Sequence, residues 1–483
     1  KKATTRGERS RQANQLRRPD MTKGSPARAA PRGSSRAAGE LAAPLLPRRR
    51  GDATPGEPHQ GHHGPGGASF AGAVLNLSTN IVGAGIMALP ACAKVLGVVP
   101  AFALVLLVAF LTEAAIKLLL RFSRAGKASS YAGVMEDAFG WAGRVLLQVS
   151  VIVKIVGVLI VYVIIVGDVL SGTSSSGVHH SGILEGWFGV HWWNGRFFVL
   201  LVTTLAVFLP LACFKRIDSL RYTSALSVTL AVVFVVITVG IAVVKLLNGS
   251  ASVARLFPTV KDLTSFSKLF TVVPVIVTAY ICHYNVHTIW NELKDSAQMR
   301  PVVQTSLALC STIYLTTGFF GFLLFGDETL DDVLANFDSN LGIPYSSLVN
   351  DIVRASYAVH LMLVFPIVFF ALRLNVDGLL FPSARPLSSD NWRFSLITVL
   401  LIALVFSGAN FIPSIWDAFQ FTGATAAVCI GFIFPASISL RDPHGIATMR
   451  DKVLSILMIV LAVFSNVVAV YSDAYSIFHK SKK

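Results

Sequence analysis

NIVGAGIMALP, Asn80 to Pro90, interrupts an otherwise apolar run. Glycines stand at 83 and 85, a polar Asn precedes them, and a proline closes the stretch. Each weakens a helix: an interior Gly by roughly 1 kcal/mol, an interior Pro by about 3 kcal/mol. In lipid, a broken helix exposes backbone groups at several kcal/mol each, unless protein buries them or they line a cavity. The break therefore belongs inside a bundle of helices, where the freed amides and carbonyls of Gly83, Ala84 and Gly85 can meet a ligand. The half-helix beginning after Gly85 directs its positive end to the same place, which favours an anion such as a carboxylate. Glycines alone serve equally well as a close helix–helix contact. On this stretch by itself both readings stay open.

The surroundings are those of a membrane protein. Of 483 residues, 53% are hydrophobic and only 14% charged, against about 25% charged in an ordinary soluble domain. Apolar runs of bilayer length divide the chain into about eleven spans. The first runs from about Phe70 through the break, followed by Val98–Leu120, Val145–Leu170, Phe197–Phe214, Ser224–Leu247 and Leu269–Trp290. The rest are Val302–Phe325, Ile352–Leu374, Phe394–Ser407, Ile415–Ile438 and Val453–Tyr471. Three segments result: a basic arm over residues 1–68, a membrane domain over 69–473, and a short tail over 474–483.

The arm from Lys1 to His63 has 14 Lys and Arg against five Asp and Glu, nine of the chain's net +15. It has too little apolar surface to fold and no signal-peptide core. Such charge can attract anionic lipid or nucleic acid; we expect a disordered cytosolic tail and no nucleic-acid partner. The chain opens on Lys, and Met21 is expected as the natural first residue. Loops after spans two, four, six, eight and ten carry Arg121, Arg124, Lys127, Arg144, Lys215, Arg216, Arg221, Lys294, Arg300, Arg373, Arg385, Arg393, Arg441, Arg450 and Lys452. By the positive-inside rule those loops and the arm are cytosolic. The loop after span seven is acidic, with Asp327, Glu328, Asp331 and Asp332 read as a solvated face. The loop after span five is the exception, with Arg255, Lys261 and Lys268 on the far side. Its Asn248-Gly-Ser is a glycosylation sequon, consistent with that side. An odd number of spans puts the C-terminus opposite the arm. The five cysteines lie in or beside spans and imply no disulfide framework.

A second interrupted span favours the ligand reading of the glycines over the packing one. VPVIVTAYICHYNVHTIW in span six has Pro274, expected to bend it, and a polar cluster of Thr278, Tyr280, His283, Asn285 and His287. Spans one and six are equivalent if the chain is two five-span repeats plus one helix. Paired broken helices at equivalent positions are the sequence pointer to a midplane site in secondary transporters.

NLSTNIVGAGIMALP resembles the first span of the amino acid/auxin permease family, and CHYNVHTIWNELKD its sixth-span ending. YVIIVGDVLSGT at Tyr162 and FPIVFFALR at Phe365 are similar to its third and eighth spans. The resemblance covers about Ser69 to Tyr471. It is closest to the plant vacuolar-type transporters, with the sodium-coupled neutral amino acid transporters as further relatives. It implies an all-α leucine-transporter fold with a five-plus-five inverted repeat and one extra helix. It also implies amino acid transport across a vacuolar or other endomembrane, the plasma membrane being the alternative, by a monomer without cofactor or enzymatic activity. The rival is an amino acid sensor using the same fold. The candidate substrate residues are Thr79, Asn80, Gly83, Ala84, Gly85, Tyr280, His283 and Asn285.

His283 and His287 share one helix face, a spacing that can bind a metal. Too few other histidines exist for a histidine-based oxidase, and no metal is expected. His283 is a site or gating residue or a satisfied core histidine. Lys154 sits mid-span, where a charge faces a cavity or a partner; it stands in for a cation or pairs with Glu113. In the sodium-coupled relatives an Asn in span one and a Thr in span eight help to hold the ion. Here the resemblance aligns Thr79 with that Asn, Asn80 following one residue and about 100° later, and Met362 or Val364 with the Thr. Neither span-eight residue offers a hard oxygen. Lys154 lies where the relatives have a neutral amide, and a buried ammonium can exchange protons. The expectation is proton coupling through Lys154 and Thr79, not sodium.

Overall fold

The computed structural model describes residues 68–175, 178–215, 221–250, 254–338, 341–412, 415–422 and 426–480. Of the two units into which the chain divides, Lys1–His59 and Gln60–Lys483, the arm, with Met21, lies outside those residues, as does Arg216. All the described residues belong to the second unit.

α1 (Phe70–Ile81) starts at Ser69, whose Oγ accepts the Gly72 N–H and caps the first turn. It ends where Val82 turns extended (φ −75°, ψ 93°). A 3₁₀ turn over Ala84–Ala88 then leads into α2 (Leu89–Leu96). The two arms of this span meet at 51°. Pro90 stands in the first turn of α2, where its missing N–H costs no bond. It opens the outer half-helix and takes no part in the break.

α3 (Val98–Ala125) and α4 (Tyr131–Ser171) follow, α4 kinked at Gly140, whose φ of 68° suits glycine. A small antiparallel hairpin, β1 (Thr173–Ser175) and β2 (Val178–His180), pairs Ser174 with His179. Then come α5 (Ile183–Phe188), α6 (Arg196–Thr203), α7 (Leu209–Ala212) and α8 (Arg221–Leu247). The second broken span comprises α9 (Leu263–Lys268), α10 (Val272–Tyr280) and α11 (His283–Glu292). α12 (Met299–Phe325), α13 (Ser346–Leu380), α14 (Asn391–Phe411), α15 (Ile415–Thr422), α16 (Phe434–Arg441) and α17 (Met449–Lys480) complete the chain. The segment expected as a tail thus continues α17 to Lys480.

Pro274 lies in the first turn of α10, not at the bend. The break falls at Ile281 (φ −73°, ψ 103°) and Cys282. Val82 and Ile281 have nearly the same backbone conformation. The breaks then differ: Gly83 stays extended (φ −137°, ψ −150°), Cys282 does not (φ −122°, ψ 0°), and only the first carries glycines.

Among the described residues, eight helices are long and apolar enough to cross a membrane, nine with the bent first span. Two shorter apolar helices, Arg196–Ala212 and Cys429–Arg441, stand where spans four and ten are expected. The core is built around α13 packed on α4 and α8, and α12 packed on α1, α2, α3 and α8. Large apolar side chains also point outward, among them Phe110, Leu400 and Val460. So much exposed apolar surface suits lipid, not water.

Ion pairs tell which loops share an end. Arg255 meets Asp327 at 2.7 Å, and Lys94 donates to the Thr329 carbonyl at 2.9 Å. Of the three exceptional cations of the loop after span five, Arg255 is therefore answered by the acidic loop after span seven. At the opposite end Arg121 pairs with Asp451 and His444 with Asp137, at 2.8 and 2.6 Å.

Candidate functional site

At both breaks a helix ends and another begins inside the bundle, so carbonyls and amides without an intrahelical partner come together there. In span one the first bond of the 3₁₀ turn runs from the Ile86 N–H to the Gly83 carbonyl, 3.2 Å. The amides of Gly83, Ala84 and Gly85 precede it and have no intrahelical acceptor. These are three N–H groups at a positive helix end, buried with their residues, and suited to an anion.

The carbonyls are served by tyrosines. The Tyr314 hydroxyl lies 2.6 Å from the Ile81 oxygen and 2.8 Å from the Ala279 oxygen. One O–H proton is thus shared between the ends of α1 and α10. The Tyr357 hydroxyl donates to the Gly83 carbonyl at 2.7 Å. Tyr162 stands over Gly83, where its hydroxyl occupies the place a Cβ would need. Three hydroxyls from spans three, seven and eight converge on the break. Tyr162 begins the span-three motif YVIIVGDVLSGT, whereas Tyr314 and Tyr357 lie outside the family-like motifs. A lone Tyr in an apolar run reads as core; its signal is a hydroxyl that needs a partner at that depth.

Thr79 is buried, and its Oγ1 donates to Leu75 in its own helix at 2.8 Å. Asn80 Nδ2 donates to the Asn76 carbonyl at 2.8 Å, while its Oδ1 accepts from Asn285 Nδ2. That pair joins α1 to α11, the two halves at the end where Ala68 lies. The same halves are tied again where the Ala68 N–H donates to the Glu292 carbonyl at 2.7 Å. Gly85 packs on α10: a Cβ there would lie 2.7 Å from the Ala279 Cβ. Tyr280 bonds Ser311 at 2.7 Å and joins α10 to α12.

His283 opens α11, fully buried, and neither ring nitrogen has a partner among the described residues. His287 on the same helix instead meets Ser123 Oγ at 3.1 Å and stacks on Tyr131. The two histidines do not converge on one point. Lys154 is buried, with Nζ 3.4 Å from the Tyr284 hydroxyl and 4.6 Å from its ring centre. Its expected alternative partner, Glu113, is engaged elsewhere by Gln304 Nε2 at 2.7 Å. Among the described residues no carboxylate comes within ion-pair distance of Lys154.

The sequence pattern described as transmembrane amino acid transporter protein matches residues 66–478. The chain belongs to the transmembrane amino acid transporter family. This family consists of transporters, not enzymes. Among its relatives, the amino acid transporter AVT6A of Arabidopsis thaliana is 63% identical over 93% of this chain and 96% of its own. AVT6B of the same plant is 62% identical over 86% and 91%. The family member's fold is also that of solved transporters of low identity. MhsT, solved in complex with L-phenylalanine, superposes with a TM-score of 0.54 at 13% identity, over 85% of this chain and all of that one. Mhp1, a nucleobase-cation-symport-1 transporter in a closed conformation, gives 0.54 at 11%, over 85% and 93%. These establish the leucine-transporter-like architecture of this family member.

Proposed function

We propose that the chain is a secondary active transporter of small amino acids, driven by protons and alternating access around the paired breaks. The observation that carries this reading is the Tyr314 hydroxyl shared by the Ile81 and Ala279 carbonyls, beside the free amides of Gly83 to Gly85. An amino acid is a zwitterion. Its carboxylate fits the amides at a positive helix end, and its ammonium fits the carbonyls at two negative ends. With one proton between two carbonyls, an arriving ammonium has an acceptor to satisfy. The relatives named amino acid transporters support the same substrate class.

Asn80 and Asn285 hold the arm-side halves of spans one and six together and must separate to open that side. His283, buried without a partner, is a polar group for substrate or water. Lys154 is the proton carrier: buried, lacking a carboxylate, and lying against Tyr284 beside the second break. Thr79 contributes to the coupling site. The arm side is cytosolic, the protein works as a monomer in a vacuolar or other endomembrane, and nucleic acid is not a partner.

The test is uptake of radiolabelled small neutral amino acids into proteoliposomes of the purified chain. Accumulation above the outside concentration under an imposed gradient supports the transporter. Saturable binding without accumulation would replace it by the sensor.

A further inference from the structure

On α3, residues 113, 116, 117, 120, 121 and 124 recur every three or four positions and form one stripe. With Arg300 and Val303 of α12 they line a cavity of about 190 Å³. It lies where α3 ends and α12 begins, at the arm-side face. Two chemistries meet in it. Ile116, Leu120 and Val303 are buried and make an apolar wall. Around that wall stand four cations.

The cations differ in what they already hold. Arg121 is engaged by Asp451 and by the Ile446 carbonyl, both at 2.8 Å. Arg124 lies 5.3 Å over the Trp290 ring, which fixes it beside an indole of the kind found at headgroup depth. Lys117 and Arg300 are exposed and have no carboxylate partner among the described residues. Glu113, one turn deeper than Lys117, accepts from Gln304 at 2.7 Å. The mouth is therefore cationic, and the stripe from Glu113 to Arg124 climbs about 16 Å of helix. A free phosphate would match the mouth but leave the apolar wall unused.

We propose that this cavity binds an anionic phospholipid, its phosphate between Lys117 and Arg300 and an acyl chain along Ile116, Leu120 and Val303. On the orientation proposed above this is the cytosolic leaflet, the leaflet rich in anionic lipid.

Native mass spectrometry of the purified full chain tests it. The protein is stripped of lipid in detergent and then offered phosphatidylserine or phosphatidylcholine. The wild type should retain phosphatidylserine about fivefold more than phosphatidylcholine. Lys117→Gln with Arg300→Gln should bring the two lipids level, with an unchanged unfolding temperature in lipid-free detergent. If the double variant does not fold, Lys117→Gln alone, at an exposed position, provides the same comparison. Glycerophosphoserine, the headgroup without acyl chains, should not displace the lipid at equal concentration. Undiminished retention by the variant, or equal retention of both lipids by the wild type, overturns the proposal. Displacement by glycerophosphoserine would assign the cavity to a soluble phosphate and equally overturn it.

Discussion

At Gly83 a methyl group would meet the hydroxyl of Tyr162, the movable end of a side chain; at Gly85 it would meet the Cβ and Cα of Ala279 at 2.7 and 3.0 Å. The two glycines therefore answer differently to substitution. Gly83 has a backbone (φ −137°, ψ −150°) that other residues adopt, so Gly83→Ala should keep the fold. It should cut amino acid uptake by about tenfold or more, the equivalent of ~1.4 kcal/mol, because the added methyl crowds the free amides. Gly85→Val forces α10 away from the break and should destabilise the protein by about 1–3 kcal/mol, as overpacking does. Uptake and unfolding temperature measured side by side decide this, and a Gly83→Ala variant transporting normally contradicts the site. The glycines were legible as a break because breaking a helix is a local property of the chain. Tyr314 and Tyr357 were not legible, because the first-span carbonyls they bond, of Ile81 and Gly83, lie more than 200 positions away.

Among the elements, the paired breaks were readable and their causes less so. Pro90 and Pro274 were expected to weaken helices, yet both stand in first turns, where proline is tolerated. The second break has no glycine; it was read from Pro274 and the polar cluster together, and of these only the cluster stands at it. The loop between α12 and α13 was read as a solvated acidic face. In it Asp332 is buried: its Oδ1 accepts the Leu334 N–H at 2.9 Å, and its Oδ2 has no partner among the described residues. Charge alone could not reveal that. Burial raises this carboxyl from 3.8 to about 7. The folded form then holds a proton that the unfolded chain releases. Stability is full below the unfolded value and falls as pH rises through about 7. The unfolding temperature of the wild type should decline from pH 4 to pH 7 more steeply than that of Asp332→Asn. Equal slopes would mean that Asp332 is ionised in the folded protein.

For the whole molecule, hydropathy placed the long spans and left the short ones least defined. Spans four and ten are helices below the usual crossing length, and only their position between long neighbours marks them. Orientation rests on loop charge, with Arg255, Lys261 and Lys268 as outliers, of which Asp327 answers Arg255. Asn248 is exposed in the turn after α8. In a secretory-pathway host it should be glycosylated, with a mass shift lost in Asn248→Gln. A C-terminal tag reached from the cytosol would contradict an odd number of spans. The central claim is amino acid transport driven by protons through a buried Lys154. It is tested most directly by amino acid uptake into proteoliposomes under a pH gradient without sodium, set against a sodium gradient at uniform pH. The account predicts accumulation in the first arm, none in the second, and loss of the pH response in Lys154→Gln. Accumulation driven by the sodium gradient alone would contradict it.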